Sequence, residues 1–366
     1  MRITAIEPIL VDVPLKAPVQ GVHGRTSVQR SVLVRLSVAD ALEGWGNVDP
    51  TPGYSAVSAR DVYDTVRKLA PVLFGLQAFD VRRALAVMDA AVPGRYEAKA
   101  AIEMALFDLK GRAVGLPVHS LLGGPVRDQV TFNAWIGTVA PEQAAREALA
   151  WLARGFTTAK IKVSGPGPDG VDRVAAVRAA VGHRMALRVD FNESLTAAEA
   201  IPTIKALEPY DLTLVEQPIA RDQIEALATI RRAIQIPLMA DESVVDPASL
   251  IEIIRLGAAD LVKVKVMKQG GLLRTLAMIE IAAAAKLRVV VGHGFGLTLS
   301  TLAEAAVAAA SDAVINGCEA VGPLKMAGDV VAQPIDLETG TITLPDAPGL
   351  GATVVPDLVK RYRVEP

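Results

Sequence analysis

Six ionisable residues recur at nearly constant spacing through the second half of the chain. They are Lys162, Asp190, Glu216, Asp241, Lys265 and His293, separated by 28, 26, 25, 24 and 28 residues. Each lies at or near the end of a short run rich in Val, Ile or Leu, and such runs predict buried parallel strands. The repeat therefore indicates one polar side chain per strand, gathered at a common edge of the fold.

Three of the six are carboxylates from consecutive predicted strands. Three negative charges that meet at one edge require a cation, and an all-oxygen ligand set suits a hard divalent ion. Asp190, Glu216 and Asp241 are therefore predicted to bind Mg²⁺, with Mn²⁺ as the alternative. Zinc would be expected to draw in His or Cys ligands. A single acid of this kind could equally cap a helix or pair with a lysine, but three in register favour the metal.

Lysines accompany the acids in two Lys-x-Lys pairs. "TTAKIKV" contains Lys160 and Lys162, and "LVKVKV" contains Lys263 and Lys265, with Lys268 just beyond. Residues two apart share one face of a strand. Beside each other and a divalent ion, Lys160 and Lys162 are expected to have lowered pKa values, about 7–8, which would make a lysine usable as a general base. One such pair alone would indicate a solvated edge strand, whereas two pairs around three acids favour catalysis.

These side chains together predict a reaction. A proton α to a carboxylate is weakly acidic because its removal leaves a dianionic enolate. A divalent ion on the carboxylate oxygens, with a lysine ammonium nearby, would stabilise that charge as it develops. With Lys162 and Lys265 on opposite faces of one substrate, either lysine could act as the base. The expected partner is therefore a small-molecule carboxylate.

Eight apolar runs must position these side chains, and helical patterns such as "QAAREALAWLARG" separate them. The runs are "VTFNAWIG", "TTAKIKV", "MALRVDF", "LTLVEQP", "IPLMADE", "LVKVKVM", "LRVVVGH" and "GCEAVGP". Strands that alternate with helices are typical of an α/β protein with a (β/α)8-type barrel, whose carboxyl strand ends carry the active site. The preceding section has strands followed by helices and ends at Gly-Gly-Pro, residues 123–125, which indicates a separate α+β unit.

With these motifs, the sequence resembles the mandelate racemase and muconate lactonizing enzyme family of the enolase superfamily, a superfamily that uses Lys or His bases with Mg²⁺. The resemblance is closest to the muconate lactonizing subgroup and covers almost the whole chain. It lies in "AKAAIEMALFDLKGRAVGLPVHSLLGG", "KIK", "VDFNE", "VEQP", "ADES" and "KVMKQGG". It implies a modified (β/α)7β barrel over residues 126–324, and a capping domain of residues 1–125 onto which the C-terminal tail, 325–366, packs back.

The resemblance also implies a role for each motif residue. Asp190, Glu216 and Asp241 match metal ligands, and Lys162 and Lys265 match the two bases. The residues at supporting positions are Lys160, Asn192, Glu242 and Lys268. His293 and Phe295, in "GHGF", resemble mandelate racemase. The aspartate that partners the histidine there is replaced here by Lys265, so both residues are expected to contact the substrate instead.

Two departures from the family pattern leave the substrate open. Gly296 aligns with a glutamate that is usual in the muconate group, and "CEAVGPLKM" lacks the paired aspartates of dipeptide epimerases. Two Gly- and Pro-rich loops of the cap, which carry His23, Arg25 and Tyr54, are expected to determine the substrate specificity. For each of these three residues, an ordinary exposed loop side chain is an equally good interpretation.

The leading functional hypothesis is a racemase or epimerase of a small carboxylate or amino-acid derivative. A cycloisomerase of the muconate lactonizing type, or a dehydratase, would share the same first step. A non-catalytic carboxylate-binding protein or scaffold is the alternative of a different class. The presence of all three acids and both strand-end lysines disfavours it.

Composition excludes several other partners. The net charge is −2 and no basic block occurs, so neither nucleic acid nor an anionic membrane is predicted as a partner. No apolar window is long enough to predict a membrane span. The single cysteine, Cys318, cannot form an internal disulfide, and the expected compartment is the cytoplasm. A homo-oligomer is expected.

Overall fold

The computed structural model describes residues 1–21, 24–39, 41–51 and 55–366. Its strands in chain order are β1 (Ile3–Gly21), β2 (Gly24–Val38), β3 (Glu43–Val48), β4 (Gln129–Thr131), β5 (Ala134–Ile136), β6 (Thr158–Lys162), β7 (Ala186–Asp190), β8 (Leu212–Glu216), β9 (Leu238–Ala240), β10 (Leu261–Val264), β11 (Arg288–Val291) and β12 (Thr341–Thr343).

Helices cover much of the remaining chain. They are α1 (Ala59–Leu73), α2 (Val81–Ala91), α3 (Tyr96–Val114), α4 (Val118–Leu121), α5 (Pro141–Ala153), α6 (Pro168–Val181), α7 (Ala197–Lys205), α8 (Ile224–Ala233), α9 (Pro247–Leu256), α10 (Val266–Gln269), α11 (Leu272–Ala284), α12 (Thr298–Ala308), α13 (Gly322–Lys325) and α14 (Pro356–Tyr362). No helix in the described ranges is long and apolar enough to cross a membrane.

The N-terminal part is an antiparallel sheet in the order β1-β2-β3, covered by helices. β1 and β2 form a long hairpin that pairs from Ile3↔Val38 to Gly21↔Gly24. Helix α3 packs so closely on β3 that a Cβ on Gly46 would lie 2.0 Å from the carbonyl oxygen of Ala101. Because α3 lies between this sheet and helices α10 and α11, it is buried on almost every face. This sheet and its helices form the capping domain.

The second part is a curled parallel sheet in the order β5-β6-β7-β8-β9-β10-β11. Its strands are almost entirely buried, as expected when helices cover a barrel from outside. Register brings the carboxyl ends of neighbouring strands together, because Lys162 pairs with Asp190 and Asp190 pairs with Glu216. The predicted α/β barrel with an α+β cap is confirmed.

Two of the eight predicted strands differ from the prediction. "GCEAVGP" does not form a regular strand, although residues 313–319 occupy the eighth position. Glu319 N–H donates to Val291 O on one side at 2.9 Å, and Cys318 N–H donates to Thr131 O on the other at 2.8 Å. "VTFNAWIG" divides into β4, which pairs with β12, and β5, which pairs with β6 in the barrel sheet. The modified (β/α)7β description fits this closure.

The C-terminal segment returns to the capping domain. Ala327 N–H donates to Pro14 O at 2.8 Å, and Val364 N–H donates to Leu10 O at 3.0 Å. Helix α14 also packs against β1. The C-terminal segment therefore contacts the middle of β1 and connects the β1–β2 hairpin to the barrel.

Candidate active site

The six residues selected by spacing all lie at one end of the barrel. Lys162, Asp190 and Glu216 are the last residues of β6, β7 and β8. Asp241 directly follows β9 and Lys265 directly follows β10, while His293 lies two residues beyond β11. Parallel neighbours in one sheet end at the same edge, so the backbone alone gathers these side chains.

The outer residues form two ion pairs, here called the rim pairs. Lys162 Nζ lies 2.6 Å from Asp190 Oδ2, and Lys265 Nζ lies 2.8 Å from Asp241 Oδ2. Strand β6 is second and β10 is sixth in the barrel order, so the two rim pairs stand on opposite sides of the mouth. The two lysines therefore face the space between them from opposite directions.

The supporting positions reinforce the rim pairs. Lys162 Nζ also donates to Asn192 Oδ1, and Asn192 Nδ2 donates to Glu242 Oε1 at 3.2 Å. Lys268 Nζ lies 2.8 Å from Asp241 Oδ1. Burial lowers the pKa of Lys268 to about 8 despite that carboxylate. All four predicted supporting residues thus lie within the same network, since Lys160 also contacts Asp190.

Below the rim lies an inner cluster of Lys160, Lys263, Glu216 and Glu319. Lys160 Nζ is 2.5 Å from Glu319 Oε2 and 3.4 Å from Glu216 Oε2. Lys263 Nζ pairs with the same two residues and lies 3.0 Å from Glu216 Oε1. Each Lys-x-Lys pair therefore contributes one lysine to the rim and one to the inner cluster.

Glu319 is a site residue that the sequence reasoning missed. It follows His293 by 26 residues, so the spacing that selected the other six residues continues for one more unit. It lies in the segment that closes the barrel, and two lysines contact its side chain. The signal was present in the spacing.

The lowered pKa that was expected for Lys160 beside a divalent ion does not occur in the protein alone. Burial would lower it, but the carboxylates of Glu216, Glu319 and Asp190 outweigh burial and raise the pKa well above its usual value. The lysines, in turn, lower the pKa values of neighbouring acids. Burial would raise the pKa of Asp190, and Lys162 and Lys160 together lower it.

Glu216 is the exception among the three predicted metal ligands. Burial, and then the adjacent Asp190 charge, raise its pKa to about 8. Lys265 and Lys268, by contrast, overcome burial and hold the pKa of Asp241 far below its usual range. Glu216 is therefore the predicted metal ligand whose negative charge the neighbouring lysines do not fully compensate in the protein alone.

The donor chemistry fits a hard divalent ion, although the side chains are not yet arranged around one. Among the described residues, no group of three His, Cys, Asp or Glu side chains is gathered closely enough to hold a metal, because lysines lie between the carboxylates. The three strand ends offer only oxygen ligands. Glu242 Oε2 is buried beside them without a hydrogen-bond partner. A bound ion would have to displace lysine contacts.

His293 is buried and connects the barrel to the cap. Its Nε2–H donates to the carbonyl oxygen of Asp49 at 2.9 Å, which fixes the tautomer. Burial, and then the charge on Lys265, lower the pKa of His293 to about 3. The ring is therefore neutral and a poor base. Its contact with a substrate, like that of Phe295, stays a prediction.

The three predicted specificity residues of the cap cannot be placed. His23 and Tyr54 lie outside the described residues. The backbone of Arg25 belongs to β2, where it pairs with Gln20, but its side chain lies outside the described part of the chain. Their roles stay predictions.

Comparison with known families defines the class of protein. Residues 5–123 match the N-terminal domain of the mandelate racemase / muconate lactonizing enzyme family, and residues 143–358 match the enolase C-terminal domain-like family. The chain belongs to the mandelate racemase/muconate lactonizing enzyme family of the enolase superfamily.

Individual relatives cover the full chain. An N-succinyl-L-Arg/Lys racemase of Bacillus cereus is 30% identical over 366 residues, 100% of this chain and 98% of the relative. The crystal structure of the N-succinyl Arg/Lys racemase from that species has a TM-score of 0.95 at 29% identity, covering 100% of this chain and 99% of that one. A chloromuconate cycloisomerase of Cupriavidus pinatubonensis is 33% identical, over 97% of this chain and 96% of the relative.

A third relative was crystallised with a metal. The dipeptide epimerase of Enterococcus faecalis, complexed with Mg and a dipeptide, has a TM-score of 0.92 at 29% identity and matches 96% of this chain and 100% of that one. These relatives are racemases, epimerases and cycloisomerases. The protein is accordingly an enzyme of an isomerase family.

Proposed function

We propose that the protein is a Mg²⁺-dependent racemase or epimerase that removes the proton α to the carboxylate of a small carboxylate or amino-acid derivative, with Mn²⁺ as the alternative ion. The observation that carries this proposal is the pair of strand-end lysines, Lys162 and Lys265, on opposite sides of the barrel mouth. Two opposed bases are what inversion of one carbon centre requires. One lysine takes the α proton from a given stereoisomer, and the opposite lysine then delivers a proton to the other face of the enolate, which gives the other stereoisomer.

The surrounding residues have complementary tasks. Asp190, Glu216 and Asp241 would hold the divalent ion, which supplies positive charge at the substrate carboxylate. Lys162 and Lys265 move protons at the α carbon. Asn192 orients the Lys162 ammonium through the hydrogen bond to its Nζ.

The inner cluster and the cap complete the assignment. Lys160 and Lys263, fixed by Glu319, maintain positive charge beneath the mouth as negative charge develops on the substrate. Lys268 and Glu242 support Asp241 and Asn192. His293, Phe295 and the cap residues His23, Arg25 and Tyr54 are proposed to contact the substrate.

A cycloisomerase is the second candidate, because a chloromuconate cycloisomerase is as similar to this chain as the racemase is. It would use one rim lysine as base or acid and the other as electrostatic support. A dehydratase would share the first step and then lose water from the β carbon. The predicted domain boundaries, the cytoplasmic location and the homo-oligomer remain predictions from the sequence.

The decisive experiment is α-hydrogen exchange in D₂O, followed by NMR over a library of N-acyl amino acids, dipeptides, muconates and sugar acids. At least one class should incorporate deuterium at the α carbon, lose exchange after chelation and regain it with Mg²⁺. Asp241→Asn should weaken Mg²⁺ binding, while Asp222→Asn, an exposed acid, should not. A lactone or a dehydrated product would identify the cycloisomerase or the dehydratase. Wild-type protein that binds neither Mg²⁺ nor Mn²⁺ in calorimetry, with or without a carboxylate, would refute the proposal.

A further inference from the structure

Lys325, at the end of α13, is an additional cation beside the barrel mouth. Its Nζ lies 4.7 Å from the ring centroid of Trp135 and 4.4 Å from that of Phe295, so the ammonium is held between two aromatic faces. Among the described residues, it donates one hydrogen bond, to the carbonyl oxygen of Gly294 at 2.6 Å. An ammonium has three donor hydrogens, and two therefore remain for another acceptor.

The Trp135 ring beside Lys325 is held in position by further aromatic contacts. Trp135, in β5, packs against Trp151 at 4.6 Å between ring centroids, and Trp151 packs edge-on against Phe156 at 4.8 Å. The guanidinium of Arg154 covers the Trp151 ring at 4.3 Å. Such contacts restrict the rotamers of the rings. Trp135 therefore offers Lys325 a fixed surface on β5, the first strand of the barrel sheet.

The charge around Lys325 is predominantly positive. In the described part of the chain, the ion-pair network of the mouth joins six cations to four carboxylates. The cations are Lys160, Lys162, Arg188, Lys263, Lys265 and Lys268, and the carboxylates are Asp190, Glu216, Asp241 and Glu319.

Lys325 adds to this excess because no carboxylate of the described residues forms an ion pair with it. Burial, and then the charges of Lys160 and Lys162, lower the pKa of Lys325 to about 7. A cation in this position becomes more favourable when an anion arrives. A divalent ion would increase the positive excess further, and one substrate carboxylate would offset only part of it.

We infer that Lys325, framed by Trp135 and Phe295, binds a second carboxylate of the substrate, so that the enzyme selects dicarboxylates over monocarboxylates. The inference rests on the proposed function, in which the first carboxylate is held at the metal beside the rim pairs. Lys325 then fixes the far end of the substrate and is a specificity residue. The rings on either side shield the part-buried ammonium from some of the surrounding water, which strengthens a charge-assisted hydrogen bond.

The location of Lys325 suits this role. Met326, the next residue, forms a β-bridge with Leu15 of the cap, so Lys325 lies where the barrel meets strand β1. Gly294, its hydrogen-bond partner, lies between the two predicted substrate contacts, His293 and Phe295. The far end of a substrate that extends from the metal towards the cap would meet Lys325.

The test is equilibrium binding of straight-chain dicarboxylates, from butanedioate to octanedioate, to the full-length protein with Mg²⁺. Each is compared with the monocarboxylate of equal chain length. In the wild-type protein, at least one dicarboxylate should bind roughly tenfold or more tightly than its monocarboxylate, as expected for one buried charge-assisted hydrogen bond. Lys325→Gln should reduce that ratio to near one. Lys325→Arg, which keeps the charge, should retain most of it.

Controls and opposing outcomes separate this inference from the proposed function. Lys205→Gln, a neutralised exposed lysine at the end of α7, should keep the wild-type ratio. Lys325→Met replaces Lys325→Gln if the latter does not fold. Mg²⁺-dependent binding with a ratio near one at every chain length, or a ratio unchanged by loss of Lys325, overturns the inference alone. Absence of Mg²⁺-dependent binding for every carboxylate overturns the proposed function, and the inference with it.

Discussion

Several buried carboxyl groups inside the barrel have different partners and different pKa values from those at its boundary with the capping domain. Inside the barrel, lysines contact the acids directly and lower the pKa of Asp190 and Glu319 against the effect of burial. At the boundary, Asp49 and Glu103 are equally buried, and burial raises their pKa values to about 6 and about 8. Asp190 and Glu319 are therefore held as anions, whereas burial favours the protonated form of Asp49 and Glu103, as it does for Glu216 inside the barrel.

The partners explain the difference. Asp49 is held by the hydroxyls of Ser31 and Ser300, at 2.5 and 2.7 Å, and Glu103 accepts the backbone N–H groups of Leu272 and Leu273 at the start of α11. Neutral donors compensate a carboxylate less than an ammonium does. The barrel thus gathers charge where chemistry is proposed, whereas Asp49 and Glu103 join the cap to the barrel through hydrogen bonds from neutral donors.

The largest expected effect is loss of a rim lysine. Lys162→Ala or Lys265→Ala should each slow stereochemical inversion by about 10²–10⁴-fold, because a positioned base is removed. Each variant should still exchange the α-hydrogen of the isomer that faces the remaining lysine. Deuterium incorporation by NMR, measured for both isomers with both variants, checks this.

The two variants must show opposite stereochemical preferences if the two-base mechanism holds. Lys205→Ala provides the matched control, since this lysine is exposed and remote from the rim pairs. Loss of exchange for both isomers in one variant, with little change in the other, would contradict the racemase and favour the cycloisomerase or dehydratase.

A smaller effect, on folding, is expected for the inner cluster. Lys263→Met removes a cation that contacts both Glu216 and Glu319, and this leaves buried negative charge undercompensated. Breaking a buried ion pair in this way typically lowers the free energy of unfolding by about 3–5 kcal/mol. Denaturant unfolding should show that loss, and Lys205→Met should change stability by less than about 0.5 kcal/mol.

A double variant sharpens the test of the inner cluster. Lys263→Met combined with Glu319→Gln removes the cation and one of its three carboxylate partners, so part of the lost stability should return. If Lys263→Met unfolds like wild-type protein, the inner cluster contributes no compensation and the contrast with the boundary fails.

The sequence predicted the parts of the site that follow from strand periodicity. One polar residue per βα unit is sufficient to place Lys162, Asp190 and Glu216 at neighbouring strand ends, because parallel strands end at one edge. The same periodicity extends to Glu319, which was missed because the closing segment is not a regular strand. Spacing was a better guide there than strand propensity.

Sequence reasoning could not divide each lysine pair between the rim and the inner cluster. Lys160 and Lys162 share a face, but Lys160 lies two residues further from the carboxyl end of β6, where its Nζ contacts Glu319, 159 residues away. The raised pKa of Lys160 depends on Glu216 and on that contact with Glu319. The Asp49–Ser300 and Glu103–Leu272 contacts also join segments that are distant in the sequence, so no local sequence pattern predicts them.

The smallest expected effect concerns pH and the boundary. Burial raises the pKa of Asp49 to about 6, with nearby Asp329 adding to the rise, whereas an unfolded aspartate titrates near 3.9. Between about pH 4 and pH 6, the unfolded chain therefore loses this proton while the folded protein keeps it. The contribution of Asp49 to the free energy of unfolding is greatest below pH 4. It should fall by up to ~3 kcal/mol as pH rises to 6, and stay constant above.

Asp49→Asn isolates this contribution because the amide cannot titrate. The difference in free energy of unfolding, wild type minus Asp49→Asn, should decline from pH 4 to pH 6 and then level off. Asp312→Asn, whose native side chain is 91% exposed, should show no such pH-dependent difference. A difference that rises across this range would mean that Asp49 is stabilised as an anion. The boundary would then bury charge as the barrel does, and the contrast between the two regions would not hold.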